Sequence, residues 1–191
     1  MSGYSRHLCH RLDVRVEDVA GGSWVLQVEL VFMRGLQMVK TLAATDNSLA
    51  QLLIRLALGV VIFPHGAQKV FGWFGGGGYG ATVTAFSALG FPLWGIILLM
   101  VTEFGGSLLL VLGFFTRVWA LAIGTAIAIC LKMNHLQNGF FMNWLGQQQG
   151  EGYEYHILIL GIALALVVRG GGMLSLDRVL ARDRRRGGIV F

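Results

Sequence analysis

Four apolar stretches, each close to the length of a membrane crossing, decide what this chain of 191 residues can become. They run over 48–70, 92–115, 117–136 and 154–169. A helix needs about 20 mostly apolar residues to cross a bilayer, whereas a barrel strand shows alternation over segments of about ten. The pattern therefore predicts an all-α integral membrane protein, a four-helix bundle. The fourth stretch is the shortest and would cross with little tilt. Pro92 suits a first helical turn, where its missing N–H is not needed, and Gly170, Gly171 and Gly172 end the fourth stretch.

Composition agrees. Only 13% of residues are charged and 55% are hydrophobic, against about a quarter charged in a soluble domain. Disorder over most of the length is excluded, and no segment remains that could build a large water-soluble catalytic domain. Cys9 and Cys130 are too few for a disulfide scaffold.

The domain reading is a four-span domain over 48–170, flanked by two other segments. Residues 1–47 are mixed in polarity, with Asp13, Glu17, Asp18 and Glu29 and a weak apolar run from Trp24 to Met33. They lack the basic head, apolar core and small-residue cleavage site of a signal peptide. They read as a poorly ordered extension or a product of start-site choice, since Met33 or Met38 could each begin the chain. Residues 171–191 read as a basic tail, with Arg178, Arg182, Arg184, Arg185 and Arg186.

Basic residues also set the expected orientation. Arg34 and Lys40 precede the first stretch, Arg117 separates the second from the third, and Arg169 ends the fourth. On the other side Lys69, Lys132, Glu151 and Glu154 nearly cancel. The positive-inside rule then places both termini in the cytoplasm, with the chain in the inner (plasma) membrane and two longer loops outside. The net charge of +5 reads as topogenic charge, and no nucleic-acid partner is expected: the aromatic interleaving of single-strand binders is missing. The tail can also hold anionic lipid headgroups.

The first outer loop carries Gly72-Trp73-Phe74-Gly75-Gly76-Gly77-Gly78-Tyr79-Gly80. No Lys and Ser/Thr follow as a phosphate-binding loop requires; Trp73, Phe74 and Tyr79 suit an interfacial aromatic belt. A short segment of helical spacing follows (Ala81, Thr84, Ala85, Ala88, Leu89) before Gly90-Phe91-Pro92 returns to the membrane.

Inside lipid the informative residues are ionisable ones, each costing at least about 2.5–3.5 kcal/mol at mid-helix if unpaired. Glu103 falls in the middle of the second stretch and Arg55 in the first half of the first. Both are expected to face the bundle interior and to pair, either as a packing contact or in proton or ligand handling. His65 and Lys69 are spaced i, i+4 around the Pro64 break, Lys132 and His135 lie near the end of the third stretch, and Glu154 and His156 open the fourth. Three helices would thus bring His65, His135 and His156 to one membrane level. They come singly, without the paired spacing of metal motifs, so no metal site is expected. Cys130 reads as a buried inert thiol. Ala120, Gly124 and Ala128, and Gly161 with Ala165, form small-residue stripes for helix contact. Gly105, Gly106 and Ser107 leave room beside Glu103 for a partner helix or a flat ligand ring.

Several short motifs, in order, resemble the DoxX family. They are Arg55…His65-Gly66-x-x-Lys69-x-x-Gly72-Trp73-Phe74-Gly75-Gly76, Gly90-Phe91-Pro92, Glu103-Phe104-Gly105-Gly106, Gly113-Phe114-x-Thr116-Arg117, His135…Gly139-Phe140-Phe141 and Ser175-Leu176-Asp177. The likeness covers about 49–180. It implies a four-helix membrane bundle, and it suggests quinone-linked electron transfer, because the family is named for a subunit of an archaeal thiosulfate:quinone oxidoreductase. Relatives are linked to membrane redox and thiol-stress assemblies. This chain has no CxxC pair, so thiol–disulfide exchange of its own is not expected.

The expectation is a membrane subunit of a quinone-linked oxidoreductase. Glu103 would relay protons with Arg55 holding it ionised. His65, Lys69, His135, His156 and Trp73 would bind the ligand, and quinone would be the cofactor. A redox partner subunit would supply the electrons, and a homo-oligomer is open. Two alternatives stand beside it: a non-enzymatic anchor or scaffold for a soluble partner, and a small transporter using Glu103 as a proton site.

Overall fold

The computed structural model describes residues 16–182; residues 1–15 and the arginine run Arg184, Arg185 and Arg186 lie outside it. Among the described residues the protein is all-helical, without strands. It divides near Val39 into two units. Helix α1 (Val16–Ala43) supplies the first, in the stretch where the sequence shows only a weak apolar run. The second, from Lys40 onward, holds all the other elements.

Three helices in that unit are long and apolar enough to cross a membrane. The first is α2 (Leu49–Phe71). Ser48 Oγ caps its start by accepting from Gln51 N at 3.4 Å, and Gly72, at φ 74°, caps its end. The second runs Leu93–Leu112 and is continuous through α4 (Leu93–Met100), a π turn over Val101–Gly106, and α5 (Ser107–Leu112). The third runs Thr116–Asn138 through α6 (Thr116–Cys130), a second π turn over Leu131–His135 and a 3-10 turn over Leu136–Asn138. Between the first two lie a 3-10 turn (Trp73–Gly75) and α3 (Gly78–Ala88), where the sequence places a short helical segment. The stretch expected to make a fourth crossing forms α7 (Glu154–Arg169), whose 16 residues extend about 24 Å, less than the ~30 Å hydrocarbon core. Helix α8 (Leu176–Arg182) follows.

The apolar core joins Leu58 and Ile62 of α2, Leu110 of α5, Ala120 and Ile123 of α6, and Ile159, Ala163 and Leu166 of α7. Small residues bring α6 and α7 together: a Cβ on Gly124 would lie 3.2 Å from that of Ala163. The α7 half of this contact is Ala163 and not Gly161, which has nothing within 4 Å. Large apolar side chains also cover the outside, among them Val60, Leu98, Leu121 and Leu164. In water such a surface would be an aggregation site; in a bilayer it is the solvated face.

Helix α2 runs antiparallel to the second span along a glycine seam. A Cβ on Gly59 would sit 2.5 Å from Val111 Cγ2 and 3.0 Å from the Ser107 carbonyl. Seven residues on, a Cβ on Gly66 would collide with the backbone of Glu103 and Phe104. Two turns of α2 therefore advance as the partner retreats two turns, and this register decides which polar groups meet.

Candidate functional site

Because Gly66 lets the two backbones touch at Glu103, Lys69, three residues along on the same face, meets that carboxylate. Lys69 Nζ donates to Glu103 Oε2 at 2.5 Å and to the His65 carbonyl at 3.4 Å. Thr82 of α3 in turn donates to the Lys69 carbonyl at 3.3 Å, tying α3 to this level. Glu103 is buried, as expected, but its partner is Lys69 and not Arg55. Arg55 is fourteen residues earlier on α2, about 21 Å along the helix axis, and cannot reach it.

The pair does not lie in closed packing. It forms part of the wall of a groove of about 670 Å³ bounded by the loop at Phe91 and Pro92, by α4 and by α6. The rest of the wall is overwhelmingly apolar, with Trp94, Leu98, Leu121 and Ile129 among its residues and Thr102 beside the pair. A concave apolar site of a few hundred Å³ with few convergent polar groups is the usual form of a small-molecule pocket. The π turn at Val101–Gly106 lies at the same place, and such turns recur at functional sites. The room that glycines leave beside Glu103 is partly taken: a Cβ on Gly106 would sit 2.7 Å from the Trp119 ring, while Gly105 has nothing within 4 Å.

The other expected residues separate into three places. The His65 ring is exposed, within electrostatic reach of Lys69 and Glu103. Trp73 stacks on Phe71 with ring centroids 5.0 Å apart and is not among the groove residues. His135 and His156 meet each other, with centroids 4.2 Å apart, so two of the three histidines converge while His65 stays with the ion pair. Cys130 joins them: one ligand atom from each of Cys130, His135 and His156 lies within 4.8 Å of the others. No metal site is expected from spacing, because the histidines come singly from different spans; on an α-helix, moreover, Cys130 and His135 would stand about 140° apart. The π turn over Leu131–His135 changes that angle, since its i to i+5 bonding carries the fifth residue back over the first.

At the other end of α2, Arg55 Nη2 donates to the Leu174 carbonyl at 3.3 Å, and the Asp177 carboxylate lies within electrostatic reach. Asp177 accepts from Phe115 N at 2.6 Å and Thr116 N at 2.8 Å, capping the start of α6. Arg117 fastens the same end, donating to the Ala44 and Val167 carbonyls. The sequence names Asp177 only within a family-like motif; its capping role is not legible there, because the backbone groups it caps lie 61 and 62 residues earlier.

Residues 50–135 match the DoxX family model. A Bacillus subtilis (strain 168) protein named "Putative oxidoreductase CatD" is 28% identical over a 143-residue alignment that covers 72% of this chain and 92% of that protein. No solved structure matches the chain. The seam and the ion pair thus lie within the stretch, residues 50–135, that is similar to the DoxX family.

Proposed function

We propose that the groove binds an isoprenoid quinone and that the chain is the membrane subunit of a quinone-linked redox system in the inner membrane. The observation that carries this reading is the Lys69–Glu103 pair in the wall of an apolar groove. A quinone needs an apolar slot for its ring and tail, and polar groups for its carbonyl oxygens. Lys69 has donor capacity for a carbonyl, and Glu103 is the acid that moves a proton. Reduction to the quinol takes up two electrons and two protons. In this reading a partner subunit supplies the electrons. The name of the Bacillus relative agrees with redox chemistry. Arg55 belongs to the scaffold, and His65 tunes the pair from outside it.

The same reading makes α7 the fourth crossing, held by α6 and lengthened at either end by the loops that tie to it, with both termini cytoplasmic. The test is titration of the full-length protein in nanodiscs with a short-chain menaquinone or ubiquinone analogue, read by quenching of tryptophan fluorescence, since Trp94 lines the groove. Saturable quenching is expected, weakened at least tenfold in Glu103→Gln. Absence of saturable binding, together with unchanged quinol turnover in membranes from a deletion strain, overturns the proposal.

A further inference from the structure

Cys130, His135 and His156 make a second polar cluster that the quinone reading does not use. Three observations distinguish it from a chance meeting of side chains. First, the two imidazoles face each other at 4.2 Å between centroids, with a thiol beside them. Second, His135 is oriented: its Nδ1 lies 2.9 Å from the Glu151 carbonyl. A carbonyl oxygen only accepts, so Nδ1 carries the proton and Nε2 keeps its lone pair, the arrangement by which metal-ligating histidines are usually held. The loop that supplies this carbonyl is fixed in turn. Asn138 Nδ2 donates to the same oxygen at 3.1 Å, and the Glu151 carboxylate accepts from Asn143 N at 2.8 Å. Third, His156 is 5% exposed and its Nδ1 is buried with no hydrogen-bond partner. A buried imidazole nitrogen with nothing to bond is costly, and a ligand there would remove that cost.

We infer that Cys130, His135 and His156 form a transition-metal site of one thiolate and two imidazoles, for a borderline-soft divalent ion such as Zn²⁺. One thiolate and two neutral imidazoles are donors that such ions prefer over magnesium or calcium. Bond lengths of about 2.0–2.3 Å from metal to nitrogen and sulfur require ligand atoms nearer than the present 4.8 Å limit, a closure that side-chain rotation supplies. Binding releases the thiol proton of Cys130, so site occupancy falls as pH is lowered. The three side chains leave a fourth position open. Cys130 also lines the groove, which puts the ion at the groove's margin. This inference is independent of whether a quinone binds.

The experiment uses full-length, tag-free protein in detergent, stripped with a chelator and titrated with Co²⁺. One ion per chain is expected, with a thiolate-to-cobalt charge-transfer absorption that Zn²⁺ abolishes by displacement. Cys130→Ser should lose the absorption, and His156→Asn should weaken Co²⁺ binding at least tenfold while gel filtration shows an unchanged particle. Should those variants not fold, the wild type still decides the matter. Zn²⁺ should slow maleimide labelling of Cys130 at least tenfold, with Cys9 as the internal control in peptide mapping. No charge-transfer absorption in the wild type, or equal labelling of Cys130 with and without Zn²⁺, overturns the assignment.

Discussion

Helix α2 carries two cations fourteen residues apart, and they keep different company. Arg55 is 1% exposed and enclosed by protein: the Leu174 carbonyl, the Asp177 carboxylate, and the close backbones of Gly113 and Gly171. Its Nε and Nη1 have no partner among the described residues, so the neighbouring carboxylate is what offsets the cost of burying the charge. Lys69 is partly open, with its carboxylate partner in a groove wall. An enclosed ion holds elements together, because any movement would unpair it. An ion at a cavity can change partner when a ligand arrives. The sequence offers the same signal for both, a charge in an apolar helix, and only the surroundings separate clasp from site.

Asp177→Ala is the most damaging change expected. It leaves the Phe115 and Thr116 N–H groups at the start of α6 unpaired, at about 1–3 kcal/mol each, and takes the nearby carboxylate away from buried Arg55. Thermal unfolding in detergent should show it as a large drop in midpoint, while molecules that do fold should bind quinone analogue normally. Weakened binding in the folded fraction would mean that the clasp and the groove are coupled, and the contrast drawn here would fail.

Gly66→Ala comes next. Its methyl would meet the Phe104 backbone, and overpacking of this kind costs about 1–3 kcal/mol. Because the collision is at the level of the Lys69–Glu103 contact, it should lower both the unfolding midpoint and analogue affinity, which Asp177→Ala should not do. A stable Gly66→Ala protein with full affinity would show that the seam does not set the pair. Trp73→Ala should do least. Its ring is exposed and stacks on Phe71 outside the groove, so stability should stay within about 0.5 kcal/mol and analogue binding should not change.

Much of the architecture is legible because lipid imposes a simple rule. Backbone polar groups must be satisfied within the helix, so apolar length alone announces α2, the second span and α6. Helix ends are legible too, through Ser48 and Gly72 at either end of α2. Glu103 stands out for the same reason: a carboxylate in the middle of an apolar run must be sheltered. Its partner is not legible. Arg55 and Lys69 are equally plausible from composition, and the choice depends on the antiparallel register that Gly59 and Gly66 allow. Trp119 filling the space at Gly106 is likewise a matter of packing from another helix.

The cysteine–histidine cluster shows the limit from another side. Cys130 and His135 are separated by a spacing that no α-helical face explains, and a π turn is a local choice of hydrogen bonding that residue periodicity does not encode. His156 arrives from α7 through a loop whose course is set by backbone contacts such as Tyr153 N to the Gly139 carbonyl at 3.2 Å.

By itself, then, the sequence determined that this chain is helical, belongs in a bilayer and shelters at least one acid there, because hydrophobic length and the cost of an unpaired charge are properties of the linear chain. The tertiary structure alone decided that Lys69 holds the acid, that Arg55 serves the opposite end, and that a thiol and two imidazoles converge. Those outcomes depend on how closely two backbones approach and on where a helix loosens by one residue, and both are set by neighbours distant in sequence.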